Sequence, residues 1–170
     1  MNAARPALVG VLVLAAVVLQ VAVFSMFSVN GVVPNLALIV VVAATIARGT
    51  SFGAVVGFTA GVLLDFAPPA DHTAGRWALA LVLVAVLAGR VSTEARRSPV
   101  AGLLTVAVCS FVATSVFAIS GLLLGEQVLA VGEIVQVIGI ALLWDVALAP
   151  LLLPPLMALF ERTSPAELAY

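Results

Sequence analysis

Two carboxylates stand inside apolar sequence: Asp65, which closes the uncharged run 53–64, and Asp145, inside the last apolar segment, 131–153. An ionised side chain at mid-bilayer costs about 2.5–3.5 kcal/mol on insertion scales, so such residues belong to proton relays, solute sites or paired anchors. Asp65 is a short loop from Arg76. An ion pair clamping the outer ends of two helices is favoured there over a transport or proton role, because an interfacial acid also reaches water at small cost. Asp145 is expected deeper, in the inner half of its helix and one turn before Pro150, as either a packing anchor or a binding site. By depth, Arg90 is the nearest cation for it.

Asp65 also ends a stripe. Gly53, Gly57, Gly61 and Asp65 are spaced by four and share one slowly drifting helix face. Repeated small residues let a neighbouring backbone approach closely within a bilayer. The stripe is therefore expected to pack against another helix, whether as ordinary bundle packing or as a specific seam.

Enzyme chemistry finds little footing. Gly49-Thr50-Ser51-Phe52-Gly53 matches G-x-S-x-G, but a nucleophile elbow needs a strand entering it and a nearby histidine. The single histidine, His72, is expected on the opposite side of the membrane. No H-E-x-x-H, C-x-x-C or P-loop occurs. Cys109 is alone, which excludes an intrachain disulfide and a cysteine metal cluster. No catalytic residue, metal site or cofactor is expected.

The composition explains the setting. Of 170 residues 64% are apolar and 9% charged, with mean hydropathy +1.31, against about a quarter charged in globular domains. This is the composition of an integral membrane protein, with no separate soluble domain and no basic block to grip nucleic acid. The first apolar segment is too long for a signal peptide and lacks an A-x-A cleavage site, so it is read as a retained helix.

Spanning helices need roughly 17–25 apolar residues, and six segments qualify or nearly do: about 7–27, 33–47, 52–67, 75–91, 99–124 and 131–153. Gln20 is the one strongly polar side chain of the first. Ser28-Val29-Asn30-Gly31 reads as a tight turn, Pro34 suits the first turn of the second helix, and Ser98-Pro99 reads as an N-cap with proline at the first helical position. Residues 68–74 and 92–97 read as loops. Pro150 predicts a kink, Pro154-Pro155 an end to the span, and the tail 156–170 an interfacial or disordered segment. An all-α, single-domain bundle of six transmembrane helices follows. Six spans put Arg5, Arg48, Arg90, Arg96, Arg97 and Arg162 on one side and only Arg76 on the other, which predicts cytoplasmic termini.

One ordered set of residues resembles a known family. Gly57-Phe58-Thr59-Ala60-Gly61-Val62-Leu63-Leu64-Asp65, followed by Gly75-Arg76-Trp77-Ala78-Leu79, resembles the rod shape-determining protein MreD family, as do Pro34-Asn35-Leu36 and Ala149-Pro150-Leu151. Arg76 and Asp145 depart from the family pattern. The resemblance implies a non-enzymatic scaffold of the bacterial cell-elongation machinery in the inner membrane. Its implied partners are an MreC-like bitopic protein, with links to MreB filaments and to a RodA-type peptidoglycan polymerase and its transpeptidase. It also implies a fold similar to the substrate-binding subunits of energy-coupling-factor transporters, so capture of a vitamin or small solute is the rival reading. Against that rival, the turn between the first two helices leaves little chain to cover an outward-facing pocket.

Overall fold

A computed structural model describes residues 4–68, 72–126 and 130–163. Seven α-helices appear among them: α1 (Ala4–Val18), α2 (Leu36–Arg48), α3 (Thr50–Phe66), α4 (Arg76–Arg90), α5 (Ser92–Arg97), α6 (Pro99–Leu123) and α7 (Val131–Arg162). No strand occurs among the described residues, only an isolated bridge between Val29 and Val32.

The bundle is built around α2, not around the glycine-striped α3. From Leu36 to Ala47 every residue is buried, and α2 touches all six other helices. Its sequence has no polar face, the pattern of a helix covered on all sides. Thr45 is its only hydroxyl, and it donates back to the carbonyl of Val41 at 2.7 Å. Thirteen residues span only about 20 Å, short for a bilayer, but a helix sheathed in protein need not meet lipid at its ends.

The chain enters α2 through the expected tight turn. Asn30 and Gly31 both have positive φ, 50° and 78°, and Val29 and Val32 exchange backbone hydrogen bonds at 3.0 and 2.9 Å. This is the left-handed pair of a two-residue hairpin turn. Pro34 lies outside the helix, contrary to expectation, because Asn35 is the N-cap: its Oδ1 accepts the N–H of Leu38 at 3.0 Å. At the other end Gly49, with φ 90°, turns the chain directly into α3.

The first segment is not one continuous α-helix. After α1 the chain takes a π turn, Leu19–Val23, then a 3-10 turn, Phe24–Phe27. The loop expected at 92–97 forms the short helix α5, while Ser98 caps α6 with Pro99 at its first position, as the sequence suggests. The last helix runs beyond its expected end. α7 continues through Pro150, Pro154 and Pro155 to Arg162, because its final turns are held from outside: Phe160 is buried edge-on against Phe52 at 5.9 Å. The expected tail is thus helical to residue 162, and its part beyond residue 163 lies outside the described residues, as do Pro69, Ala70 and Asp71 of the expected break and the side chain of Arg5.

Among the described residues three segments are long and apolar enough to cross a membrane, Pro6–Phe27, Pro99–Leu123 and Val131–Arg162, while α2 and α3 are shorter apolar helices.

Candidate functional site

The polar residues of the interior converge on helix ends. The N-terminus of α2 presents backbone N–H groups that have no partner within their own helix. Asp145 Oδ1 takes that of Asn35 at 2.7 Å, Gln20 Oε1 takes that of Ala37 at 3.2 Å, and Asn35 itself serves Leu38. Ser110 donates its hydroxyl to the other oxygen of Asp145 at 2.6 Å. Four elements meet here, and Asp145 is 1% exposed. Gln20 follows Val13, Ala16 and Val17 at helical spacing on the buried face, so its amide turns inward while Leu19 and Val23 face out.

Asp145 therefore has no arginine partner. Arg90, expected beside it, is exposed at the C-terminus of α4, and no ion pair among the described residues joins the two. The separation is geometric. Glu161, sixteen residues after Asp145 on α7, pairs with Arg96 at the other end of α2, so Asp145 lies about 24 Å of helix away from the arginine-bearing end. Next to it, the indole N–H of Trp144 is buried without an acceptor.

The N-terminus of α4 repeats the arrangement. Asp65, 2% exposed, accepts the backbone N–H groups of Gly75 at 2.8 Å, Trp77 at 3.0 Å and Ala78 at 3.2 Å. A carboxylate at a helix N-terminus also faces the positive end of the helix dipole. This corrects the expected Asp65–Arg76 clamp. Arg76 turns instead to α6, where it pairs with Glu126, donates to the Phe117 carbonyl and to Ser120 Oγ (3.1 Å), and lies 3.8 Å over the Phe117 ring. Trp77 stacks on the same ring at 4.5 Å, and His72 meets its edge at 5.0 Å. Glu126 also accepts the Thr73 N–H at 2.7 Å. That backbone hydrogen bond first, then the Thr73 side chain and Arg76, hold its carboxyl below the ordinary glutamate value.

The glycine stripe lies inside the bundle. A Cβ on Gly57 would sit 2.7 Å from the carbonyl oxygen of Leu81, one on Gly61 would overlap the backbone of Ala78, and one on Gly53 would strike the Thr45 side chain. Gly57 and Gly61 thus let α4 pack backbone to backbone on α3, and Gly53 admits α2.

The C-terminus of α2 is closed from α5. Arg96 donates Nε to the Ile46 carbonyl at 2.6 Å and Nη2 to that of Ala47, and pairs through Nη1 with Glu161 at 3.2 Å. Sequence reasoning missed Arg96 and Glu126, each among loop residues that look merely solvated. The only hint is position, since an arginine shortly after one helix can reach the bare carbonyls of another.

Chemically, this arrangement fastens helices. The two acids accept from backbone amides or a serine, and the arginines donate to carbonyls or pair with glutamates. Ser51 begins α3 while His72 lies beyond its far end, about 25 Å of helix away, too far for a nucleophile and base to meet. No group of three or more His, Cys, Asp or Glu is placed to hold a metal among the described residues.

A family model described as rod shape-determining protein MreD matches residues 2–163. No curated protein and no solved structure matches the chain. The solute-capture reading has no support in these comparisons.

Proposed function

This chain belongs to the rod shape-determining protein MreD family, and from that membership we propose that it is a multi-pass scaffold of the bacterial cell-elongation machinery. In this reading it holds an MreC-like bitopic protein in the inner membrane and helps couple MreB filaments to a RodA-type polymerase and its transpeptidase. The observation that carries the non-catalytic reading is the fate of the polar interior. Asp65, Asp145, Arg76 and Arg96 are all engaged in closing helix ends or joining neighbouring helices. A bundle fastened in this way offers rigid helix faces to partners.

The six-span reading assigns the segment 6–27, α2, α3, α4, α6 and α7 to the spans, with the short α2 sheathed by the others. Orientation follows from the arginines. Arg96 joins the C-terminus of α2 to Glu161, and Gly89 lies against Thr50, so Arg48, Arg90, Arg96, Arg97 and Arg162 share one end while Arg76 is at the other. That asymmetry supports a cytoplasmic arginine-bearing end and cytoplasmic termini.

The test is unbiased co-purification from native membranes in mild detergent, with partners identified by mass spectrometry. Recovery of an MreC-like protein with a wall polymerase is expected. Recovery of a coupling subunit with paired ATPases, and no wall protein, would overturn the scaffold reading.

A further inference from the structure

A cleft of about 490 Å³ opens between α5, the first turns of α6 and the last turns of α7. Its walls are apolar, formed by Val100, Leu103, Leu153, Pro154, Met157 and Ala158, with Gly102 and Ala149 at its floor. Polarity is confined to one end, where Arg96 and Glu161 stand. The size falls within the roughly 300–1,000 Å³ of small-molecule sites.

Arg96 is fixed there in one orientation. A guanidinium has five N–H donors, and three are committed to Ile46, Ala47 and Glu161, which leaves two. The side chain remains 44% exposed and lines the cleft, so a cation held by three hydrogen bonds stays open to a further partner there. The same end carries Arg48, Arg90, Arg97 and Arg162 against Glu94 and Glu161, so the local field is positive.

We propose that this cleft binds an anionic phospholipid from the bilayer, its phosphate on the free donors of Arg96 and one acyl chain along the Leu103, Leu153 and Met157 wall. An amphiphile with one charged end and an apolar body matches the distribution of polarity along the cleft. Basic pockets between transmembrane helices commonly take acidic headgroups. Both an anionic and a zwitterionic phospholipid carry the phosphate that Arg96 would hold, so the preference for the anionic one comes from the net positive field of this end, which disfavours an added ammonium. The bound lipid would tie α5 to α7 at the end where Arg96 closes α2.

The test uses the full chain purified in dodecyl maltoside, with phosphatidylglycerol and phosphatidylcholine of identical acyl chains as probes. Bound lipid and oligomeric state are read by native mass spectrometry, and melting temperature alongside. Phosphatidylglycerol is expected to bind at least fivefold more tightly. Ala158→Phe and Val100→Phe each fill the cleft from an exposed position and should abolish that preference with little change in melting without lipid. Leu143→Phe, on the exposed face of α7 outside the cleft, should keep it. Two cleft variants guard against one failing to fold. Equal affinity for the two lipids would overturn the proposal, as would a preference unchanged in both cleft variants or equally tight binding of soluble glycerol phosphate. A dimer dissociated by Ala158→Phe would assign the cleft to a second copy and overturn it as well.

Discussion

Asp145 accepts the backbone N–H of Asn35 at 2.7 Å, across 110 positions of chain, and so starts a helix to which it does not belong. The N-terminus of α2 is the weak point of a design that buries a short helix completely, because its amides cannot reach water. Asp145, Gln20 and Asn35 take that place, and Ser110 holds the second carboxyl oxygen of Asp145.

The first prediction follows from the donors that would be stranded. Asp145→Leu leaves the Asn35 N–H and the Ser110 hydroxyl without acceptors, at about 1–3 kcal/mol each. Asp145→Asn keeps an oxygen for Asn35 and presents an amide that Ser110 can accept, so it should be far milder. Melting of the purified variants in detergent orders them. Adding Ser110→Ala to Asp145→Leu should recover part of the loss, since one stranded donor disappears. If Asn and Leu were equally damaging, the carboxyl oxygens would not be holding α2.

Glycine substitutions separate the inner stripe from open surface. A methyl at Gly57 has no room against the Leu81 carbonyl, which cannot rotate away, so Gly57→Ala should destabilise by about 1–3 kcal/mol. Gly139 sits in α7 with nothing within 4 Å of an added Cβ, so Gly139→Ala should be neutral or slightly stabilising. Equal melting temperatures for the two variants would mean that α3 and α4 do not pack backbone to backbone.

How much of this was legible depends on whether a feature is local. The Asn30-Gly31 turn and the Ser98-Pro99 start of α6 are local chemistry, and both read directly from residue types. The spacing of the glycine stripe is likewise a property of one helix, and a Cβ at Gly53, Gly57 or Gly61 would meet a neighbouring helix. Partner choice is different. Asp65 and Arg76 look like a pair because they are close in sequence, but the amides of Gly75, Trp77 and Ala78 take the carboxylate, and Arg76 finds Glu126 just past the end of α6. Pro154-Pro155 reads as a stop by propensity, yet burial of Phe160 carries the helix past it. Centrality of α2 was hidden for a related reason: all six expected spans are apolar, and only tertiary packing decides which one the others surround.

Asp65 acts as a cap, and this can be distinguished from an ion pair. Asp65→Ala removes the acceptor of three amides and should cost near the upper end of the roughly 0.5–2 kcal/mol seen for lost caps. In a double-mutant cycle Asp65→Ala and Arg76→Gln should couple more weakly than Arg76→Gln and Glu126→Gln, because Asp65 reaches Arg76 only through the flanking amides of Gly75 and Trp77. Arg76→Gln and Glu126→Gln should be clearly non-additive. Strong coupling in the first cycle and none in the second would restore the Asp65–Arg76 pair.

Orientation is open to chemical labelling. Thr73 and Thr93 are both exposed, and they lie at opposite ends of the bundle, beside Arg76 and beside Arg96. With the arginine-rich end cytoplasmic, Thr73→Cys should react with an impermeant maleimide added to whole cells and Thr93→Cys should react only after permeabilisation. Cys109 is buried and should stay silent in both. Reversed labelling would invert the topology.

Glu126 gives the structure a defined response to acid. Its folded pKa lies below the ordinary glutamate value, chiefly through the Thr73 N–H and with help from Arg76. For a carboxyl depressed by folding, the unfolded chain takes up its proton first as pH drops. The stabilisation is therefore complete above the unfolded pKa and is lost as pH falls through the lower, folded one. The contribution of Glu126 to stability should thus be complete above the ordinary glutamate range and fade as pH falls below it. Glu126→Gln should melt lower at neutral pH and lose the part of the acid slope that belongs to this group, so the two curves converge in acid. Parallel curves over the whole range would show that the contact between Arg76, Thr73 and Glu126 does not hold the start of α4 to the end of α6.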